Sequence, residues 1–315
     1  MKKDLLSILD LSKEEILHLF EEAEYLRSLL KKGKAYHPLK GKILGMLFRK
    51  PSTRTRLSFE VGMHQLGGQG IFISSQEAQP GQRESIEDIA RVLSRYIDGI
   101  VIRTFDHEEI VKFARAASIP VINGLTDFLH PCQALSDYYT LWRRKKNVEE
   151  IKLAYIGDGN NVCNSLILGA AKLGINIFIC NPPNYGPNKE VVEEGKRITS
   201  GEITFIEDPL KAVEEADVVY TDVWTSMGKE AEREERKKVF RPYQVNTNLL
   251  KRAKKDVLIM HCLPAHRGEE ITDEVIDGKN SIVFEQAENR LHLQKAILVE
   301  WLKPPLRQRE ARGRF

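Results

Sequence analysis

Cysteine is scarce. The four residues Cys132, Cys163, Cys180 and Cys262 stand far apart with no CxxC spacing, so neither a disulfide framework nor a zinc ribbon organises the chain. Scattered thiols fit a reducing compartment, and the expected location is cytoplasmic. Long apolar runs are missing as well. No stretch approaches the ~18 apolar residues of a membrane span, and Asp4, Asp10, Glu14 and Glu15 break up any secretory segment behind Lys2 and Lys3. A dominant charge is also lacking, since 48 Lys and Arg against 45 Asp and Glu leave +3 at pH 7. Nucleic-acid binders concentrate basic residues on one face or tail. Here only the end of the chain is locally basic, with Lys303, Arg307, Arg309, Arg312 and Arg314 against Glu310, and it reads as a solvated tail. Neither a nucleic acid nor a membrane is expected as a partner.

What is present is a globular composition. The 315 residues are 42% hydrophobic and 30% charged, and at about 100–200 residues per domain they suggest two domains. Ser12-Lys13-Glu14-Glu15 has a capping-box pattern and precedes Ile16, Leu19, Phe20, Ala23 and Leu26 at helical spacing. Short apolar runs then alternate with helical patterns. Strands are expected at 43–48, 71–74, 100–103 and 121–122, with helices at 57–66, 86–96, 110–117 and after Pro131. The charged stretch from Arg143 to Glu150 places a domain boundary between 146 and 147, giving domains 1–146 and 147–315. The rhythm resumes with strands at 153–156, 177–180, 203–206, 218–220, 257–260 and 282–284. A last helix over 287–302 ends before Pro304-Pro305. The fold class is α/β, with two domains that are each a parallel sheet flanked by helices, and with the C-terminal helix packing back towards the N-terminal domain.

In such sheets ligands bind beyond the carboxyl ends of the strands. Ser52-Thr53-Arg54-Thr55-Arg56 lies between a strand and a helix, where free N–H groups, the positive helix end and directed guanidinium donors suit an anion. The bland alternative is an ordinary N-cap with arginines in solvent. The Gly-rich P-loop pattern is absent. His130-Pro131-Cys132-Gln133 offers an imidazole and a carboxamide for a carbonyl or amide, or else a turn histidine before a helix with proline at its first position.

Gly157-Asp158-Gly159-Asn160-Asn161-Val162 lacks the third glycine of a dinucleotide loop, and Asn181-Pro182-Pro183 follows the next strand without an acidic ribose ligand. The nicotinamide reading weakens, and the Asn160 and Asn161 amides remain able to meet a polar substrate. Asp222-Val223-Trp224-Thr225-Ser226-Met227-Gly228 can pair with a substrate ammonium, or can be a helix cap beside a core tryptophan. Cys262, in His261-Cys262-Leu263-Pro264, can be a nucleophile, a zinc ligand or a pocket wall. Adjacent strand residues face apart, which opposes joint action of His261 and Cys262, and a zinc site would need further ligands. The pocket wall survives.

Taken together, the Ser-Thr-Arg-Thr-Arg, His-Pro-x-Gln, Asp-x-Trp-x-Ser-Met-Gly and His-Cys-Leu-Pro segments, with Glu288-Asn289-Arg290, resemble the ornithine carbamoyltransferases in motif order, from Leu5 to about Leu302. The resemblance implies transfer of a carbamoyl group from carbamoyl phosphate to the δ-amine of ornithine, giving citrulline for arginine biosynthesis, with no metal and no cofactor. It implies that Ser52, Thr53, Arg54, Thr55 and Arg103 hold the phosphate. His130, Gln133, the Cys262-Leu263 backbone and Arg290 would position the carbamoyl group. Asn161, Asp222, Ser226 and Met227 would bind ornithine, with Asp222 and Cys262 near the attacking amine. It also implies a homotrimer, or a multiple of trimers, whose active sites receive a neighbour's loop carrying Gln79. The alternatives are a carbamoyltransferase for putrescine, aspartate or an acylated ornithine, and a non-catalytic anion-binding module.

Overall fold

The computed structural model describes residues 4–74, 84–145 and 147–303. Gln79 lies outside the described residues. By internal packing the chain forms two compact units. The first comprises residues 1–6, 15–126 and 291–315, and the second residues 7–14 and 127–290. These divisions follow the proximity of backbone segments, whereas the 146/147 division follows a run of charge.

The first unit opens with α1 (Lys13–Lys31), whose buried residues are Ile16, Leu19, Phe20, Ala23 and Leu26, the apolar face anticipated from their spacing. Four parallel strands follow, β1 (Ile43–Phe48), β2 (Gln69–Ser74), β3 (Gly99–Arg103) and β4 (Val121–Leu125), in the order β2-β1-β3-β4. Helices α2 (Thr53–Gln65), α3 (Ile86–Leu93) and α4 (His107–Ala116) make the crossovers. β3 is buried along its length because helices cover a parallel sheet on both faces. Leu47, Ile89, Ile100, Ile102, Ile110, Phe113 and Val121 form one core cluster. β2, at the edge, leaves Ile71 and Phe72 exposed, as α2 leaves Leu57 and Val61.

The second unit contains α5 (Pro131–Lys145) and five parallel strands, β5 (Lys152–Ile156), β6 (Asn176–Cys180), β7 (Ile203–Phe205), β8 (Val218–Thr221) and β9 (Leu258–His261), in the order β7-β6-β5-β8-β9. α6 (Asn161–Leu173), α7 (Lys189–Ile198), α8 (Pro209–Ala212), α9 (Arg233–Phe240) and α10 (Thr247–Leu250) connect them, and α11 (Asp273–Ile276) follows β9. The last helix, α12 (Val283–Leu302), contributes residues 283–290 to this unit and residues 291–302 to the first. There Lys295 Nζ donates to Gln65 Oε1 at 3.0 Å, so the C-terminal helix packs back towards the N-terminal domain as expected.

Three expectations are corrected, one being the last helix, which starts at Val283 rather than at Ala287. The strand expected at 282–284 does not form. Ile259 N–H donates to Asn280 and Ile282 N–H to Ile259, and the chain then turns into α12 as Gln286 N–H donates to Ile282. An apolar run of three cannot by itself distinguish a strand from the first turn of a helix. The helix expected at 57–66 starts four residues earlier, at Thr53, because Ser52 caps it. No described helix is long and apolar enough to cross a membrane.

Candidate active site

Each sheet reverses its strand order at one place, between β1 and β3 in the first unit and between β5 and β8 in the second. Crevices for ligands open at the carboxyl ends of strands at such switch points. The motif residues 52–56 and 103 follow or end β1 and β3, and residues 157–161 and 222 follow β5 and β8.

In the first unit, Ser52 Oγ accepts the Thr55 N–H at 3.2 Å and keeps its own hydrogen to donate. The ordinary N-cap reading is therefore correct for this side chain, and the cap aims the positive end of α2 out of the strand end. The nearby arginines differ in what holds them. Arg49 pairs with Glu109, which also accepts from Thr104 Oγ1. Arg56 pairs with Glu60 at 3.2 Å and lies over the Phe72 ring. Arg54 makes no ion pair among the described residues, which leaves its charge for an anion. Thr53 is exposed, Thr55 buried, and Arg103 buried at the end of β3.

In the second unit, Asp222 is surrounded by donors. Its Oδ1 accepts the Val223 N–H at 2.8 Å and the Cys262 thiol at 2.9 Å, and its Oδ2 accepts the Asn160 amide at 2.7 Å. Asn160 also caps α6, taking the Val162 and Cys163 N–H groups on its own oxygen. This corrects its expected role, because both ends of the Asn160 carboxamide serve the protein and orient Asp222. Gly159 explains the tightness of the loop, since a Cβ there would lie 2.1 Å from the Gly186 carbonyl carbon. Asn161, half-buried, accepts Ser165 Oγ on its backbone carbonyl at 2.9 Å.

Cys262 is held as a thiol. Desolvation, then the Asp222 charge and the hydrogen bond to it, push its pKa well above the ordinary value, against a smaller pull from Arg290. His261 turns instead to buried Glu270, with Nε2 at 3.0 Å from Oε1, while its Nδ1 accepts the Leu263 N–H at 2.8 Å. A backbone N–H can only donate, so Nδ1 is unprotonated and Nε2 carries the proton. The two bonds fix the turn in which Leu263 adopts φ 57° ahead of the cis bond to Pro264. Donor atoms of Asp222, His261 and Cys262 lie within 4.8 Å of one another, as do those of His266, Glu269 and Glu270. Both ring nitrogens of His261 are already committed, which does not fit the first group to a cation.

Trp224 is the core tryptophan of the bland reading, stacked on Phe240 at 5.9 Å between centroids. Its carbonyl accepts Arg236 Nη1 at 2.9 Å, and Arg236 pairs with buried Asp158 at 3.2 Å. Burial raises the Asp158 pKa to about 6 despite that guanidinium. Beyond this anchor Ser226 is half-buried and Met227 exposed.

His130 is buried, its N–H donating to Ser165 Oγ at 2.7 Å, and α5 starts at Pro131 as a first-position proline should. Gln133 donates its amide to Asp137, four residues along the same helix. Arg290 is buried, and its charge acts on Cys132, Asp137 and Cys262. The sequence reading missed Asp137, Arg236, Glu270 and Gln286. Only Asp137 had a signal, its four-residue spacing from Gln133 on one helix face.

Comparison with known proteins gives two successive family matches. Residues 3–143 match the description Aspartate/ornithine carbamoyltransferase, carbamoyl-P binding domain, and residues 149–301 match Aspartate/ornithine carbamoyltransferase, Asp/Orn binding domain. The chain is similar to the ornithine carbamoyltransferase of Syntrophus aciditrophicus, at 55% identity over 95% of this chain and 99% of that protein. It is also similar to a Pyrococcus furiosus protein named ornithine carbamoyltransferase, anabolic, at 52% identity over 94% of this chain and 95% of that one. A solved ornithine carbamoyltransferase structure from Pyrococcus furiosus superposes with a TM-score of 0.93 at 50% identity, covering 95% of this chain and 97% of that chain.

Proposed function

The chain belongs to the aspartate/ornithine carbamoyltransferase family, and from that premise we propose that it transfers the carbamoyl group of carbamoyl phosphate to the δ-amine of L-ornithine, yielding L-citrulline and phosphate. The observation that carries the reading is a pair of complementary strand ends. One offers an arginine that makes no ion pair among the described residues, at a helix N-terminus, and the other a carboxylate oriented by three donors.

On this reading the domain 1–146 takes carbamoyl phosphate and the domain 147–315 takes ornithine. Ser52, Thr53, Arg54, Thr55 and Arg103 bind the phosphate and stabilise the charge that grows on it as it leaves. His130 and Arg290 donate to the carbamoyl oxygen as it becomes an oxyanion, while Gln133 and the Cys262-Leu263 backbone hold the rest of that group. Asp222 pairs with ornithine, beside Asn161, Ser226 and Met227.

The reacting amine must first lose a proton, because an alkylammonium near pKa ~10.4 is mostly charged at neutral pH. Desolvation and neighbouring arginines lower that value, and the departing phosphate can accept the proton. Cys262, kept protonated and aimed at Asp222, orients that carboxylate and forms no covalent intermediate. Placing two small reactants together supplies much of the acceleration.

The proposal includes a homotrimer or a multiple of it in the cytoplasm. Support for assembly comes from apolar Leu57, Val61, Ile71 and Phe72, exposed on α2 and the adjoining edge strand, where an isolated chain would leave them to water. Light scattering should give a multiple of three 36.0 kDa chains. The decisive assay compares formation of citrulline, carbamoyl-aspartate and carbamoyl-putrescine from carbamoyl phosphate. Citrulline should dominate. Preference for another amine would change the substrate, and phosphate binding without any turnover would favour the non-catalytic module.

A further inference from the structure

Gln133 and Gln286 reach one carboxylate from two helices. Gln133 Nε2 and Gln286 Nε2 each donate to Asp137 Oδ1 at 2.8 Å, and Tyr220 Oη donates to Asp137 Oδ2 at 3.0 Å. An ionised carboxylate only accepts, so it decides which end of each carboxamide faces it. The NH2 groups turn inward and the carbonyl oxygens outward. Gln286 shows the consequence, because its outward Oε1 accepts the His261 N–H at 3.0 Å. Gln133 obeys the same constraint, and the atom it presents away from Asp137 is therefore an acceptor.

We propose that Asp137 is a positioning residue that fixes Gln133 as a hydrogen-bond acceptor and so selects, through it, the NH2 of a carbamoyl phosphate over an acyl phosphate bearing a methyl group there. The inference rests on the assignment of Gln133 to the carbamoyl group made above. A carbamoyl oxygen facing Gln133 would set two acceptors together, and a methyl would leave the acceptor unmet. Without the carboxylate, the amide is free to rotate by half a turn and present either end. Burial raises the Asp137 pKa to about 6, against the hydrogen bonds from Gln286, Gln133 and Tyr220 and the Arg290 charge, so the carboxylate is the main form at pH 8.

The test is steady-state kinetics at pH 8 with acetyl phosphate as a competitive inhibitor, read as its inhibition constant divided by the KM of carbamoyl phosphate. Asp137→Ser withdraws the acceptor and lets its hydroxyl bond the carbonyl four residues earlier. Ser136 already does so to Cys132 at 2.7 Å, and Thr140 to Ser136 at 2.8 Å. The ratio should fall about tenfold, through a rise in KM, as one hydrogen bond to substrate is lost. Asp137→Asn, able to turn its carbonyl towards both glutamines, should recover the ratio to within about threefold of wild type. Asp137→Ala should give the same fall as the serine variant, and decides the matter if the latter is unstable. A ratio unchanged in Asp137→Ser but lowered in Gln133→Ala overturns the role of Asp137 and leaves Gln133 its assignment. A ratio unchanged in Gln133→Ala overturns that assignment, and the role of Asp137 with it.

Discussion

The Cys262 thiol donates to Asp222 Oδ1 at 2.9 Å, and the hydrogen bond runs from sulfur to carboxylate. A thiol whose proton is claimed by a neighbouring anion is a poor nucleophile, because attack requires the thiolate. The same bond holds one lobe of the Asp222 carboxylate while Asn160 holds the other.

Cys262→Ser should therefore keep activity within about tenfold of wild type, since a hydroxyl can donate to the same oxygen. Mass spectrometry of the enzyme quenched during turnover should show no carbamoyl adduct on Cys262. A carbamoyl-thioester there would overturn the orienting role.

Arg54→Ala should lower kcat/KM by about 10²–10³ or more, the scale for losing one group that stabilises developing charge. The fold should be unaffected, because Arg54 makes no ion pair among the described residues and only its backbone carbonyl serves the helix, accepting from Ser58 Oγ at 2.7 Å. Near-normal turnover in this variant, with an unchanged melting temperature, would remove Arg54 from the phosphate site.

Arg236→Leu leaves Asp158 buried without its partner, and should destabilise the protein by roughly 3–5 kcal/mol at pH 8. The pH dependence has a definite sign. The folded-state pKa of Asp158, raised to about 6, lies above its unfolded value, so its stabilising contribution is present at low pH and is lost as pH rises through about 6. Without Arg236 that loss should deepen, making the variant's deficit smaller at pH 5 than at pH 8. Denaturant unfolding at the two pH values measures this, and Arg236→Leu combined with Asp158→Asn should recover part of the loss.

Much of this was legible in residue patterns. The apolar face of α1 and the strands at 43–48 and 153–156 follow from period and run length, because parallel strands buried on both faces read as continuous apolar segments. The strand-end motifs fell where βαβ alternation puts them. Strand order was not legible, since it depends on which runs pair, and neither were the partners of the motif residues. Asp158 and Arg236 are 78 positions apart in loop and helix, and no local spacing joins them. The expectation that Asn160 would face substrate failed for a similar reason. Its oxygen was claimed by a helix start visible in sequence, but its nitrogen by a carboxylate 62 residues on.

The interleaving of the two packed units bears on how the gene can be cut. Their chain segments alternate at 6/7, 14/15, 126/127 and 290/291, so no single scission releases either one whole. A fragment ending after α5 would carry Tyr138, whose hydroxyl donates to the Leu166 carbonyl, and Asp137, whose donors Tyr220 and Gln286 lie downstream. Such a piece would expose a helix built for interior use on every side, and sticky, poorly expressed protein is the natural outcome. Halves meant for separate expression call for spliced or permuted genes.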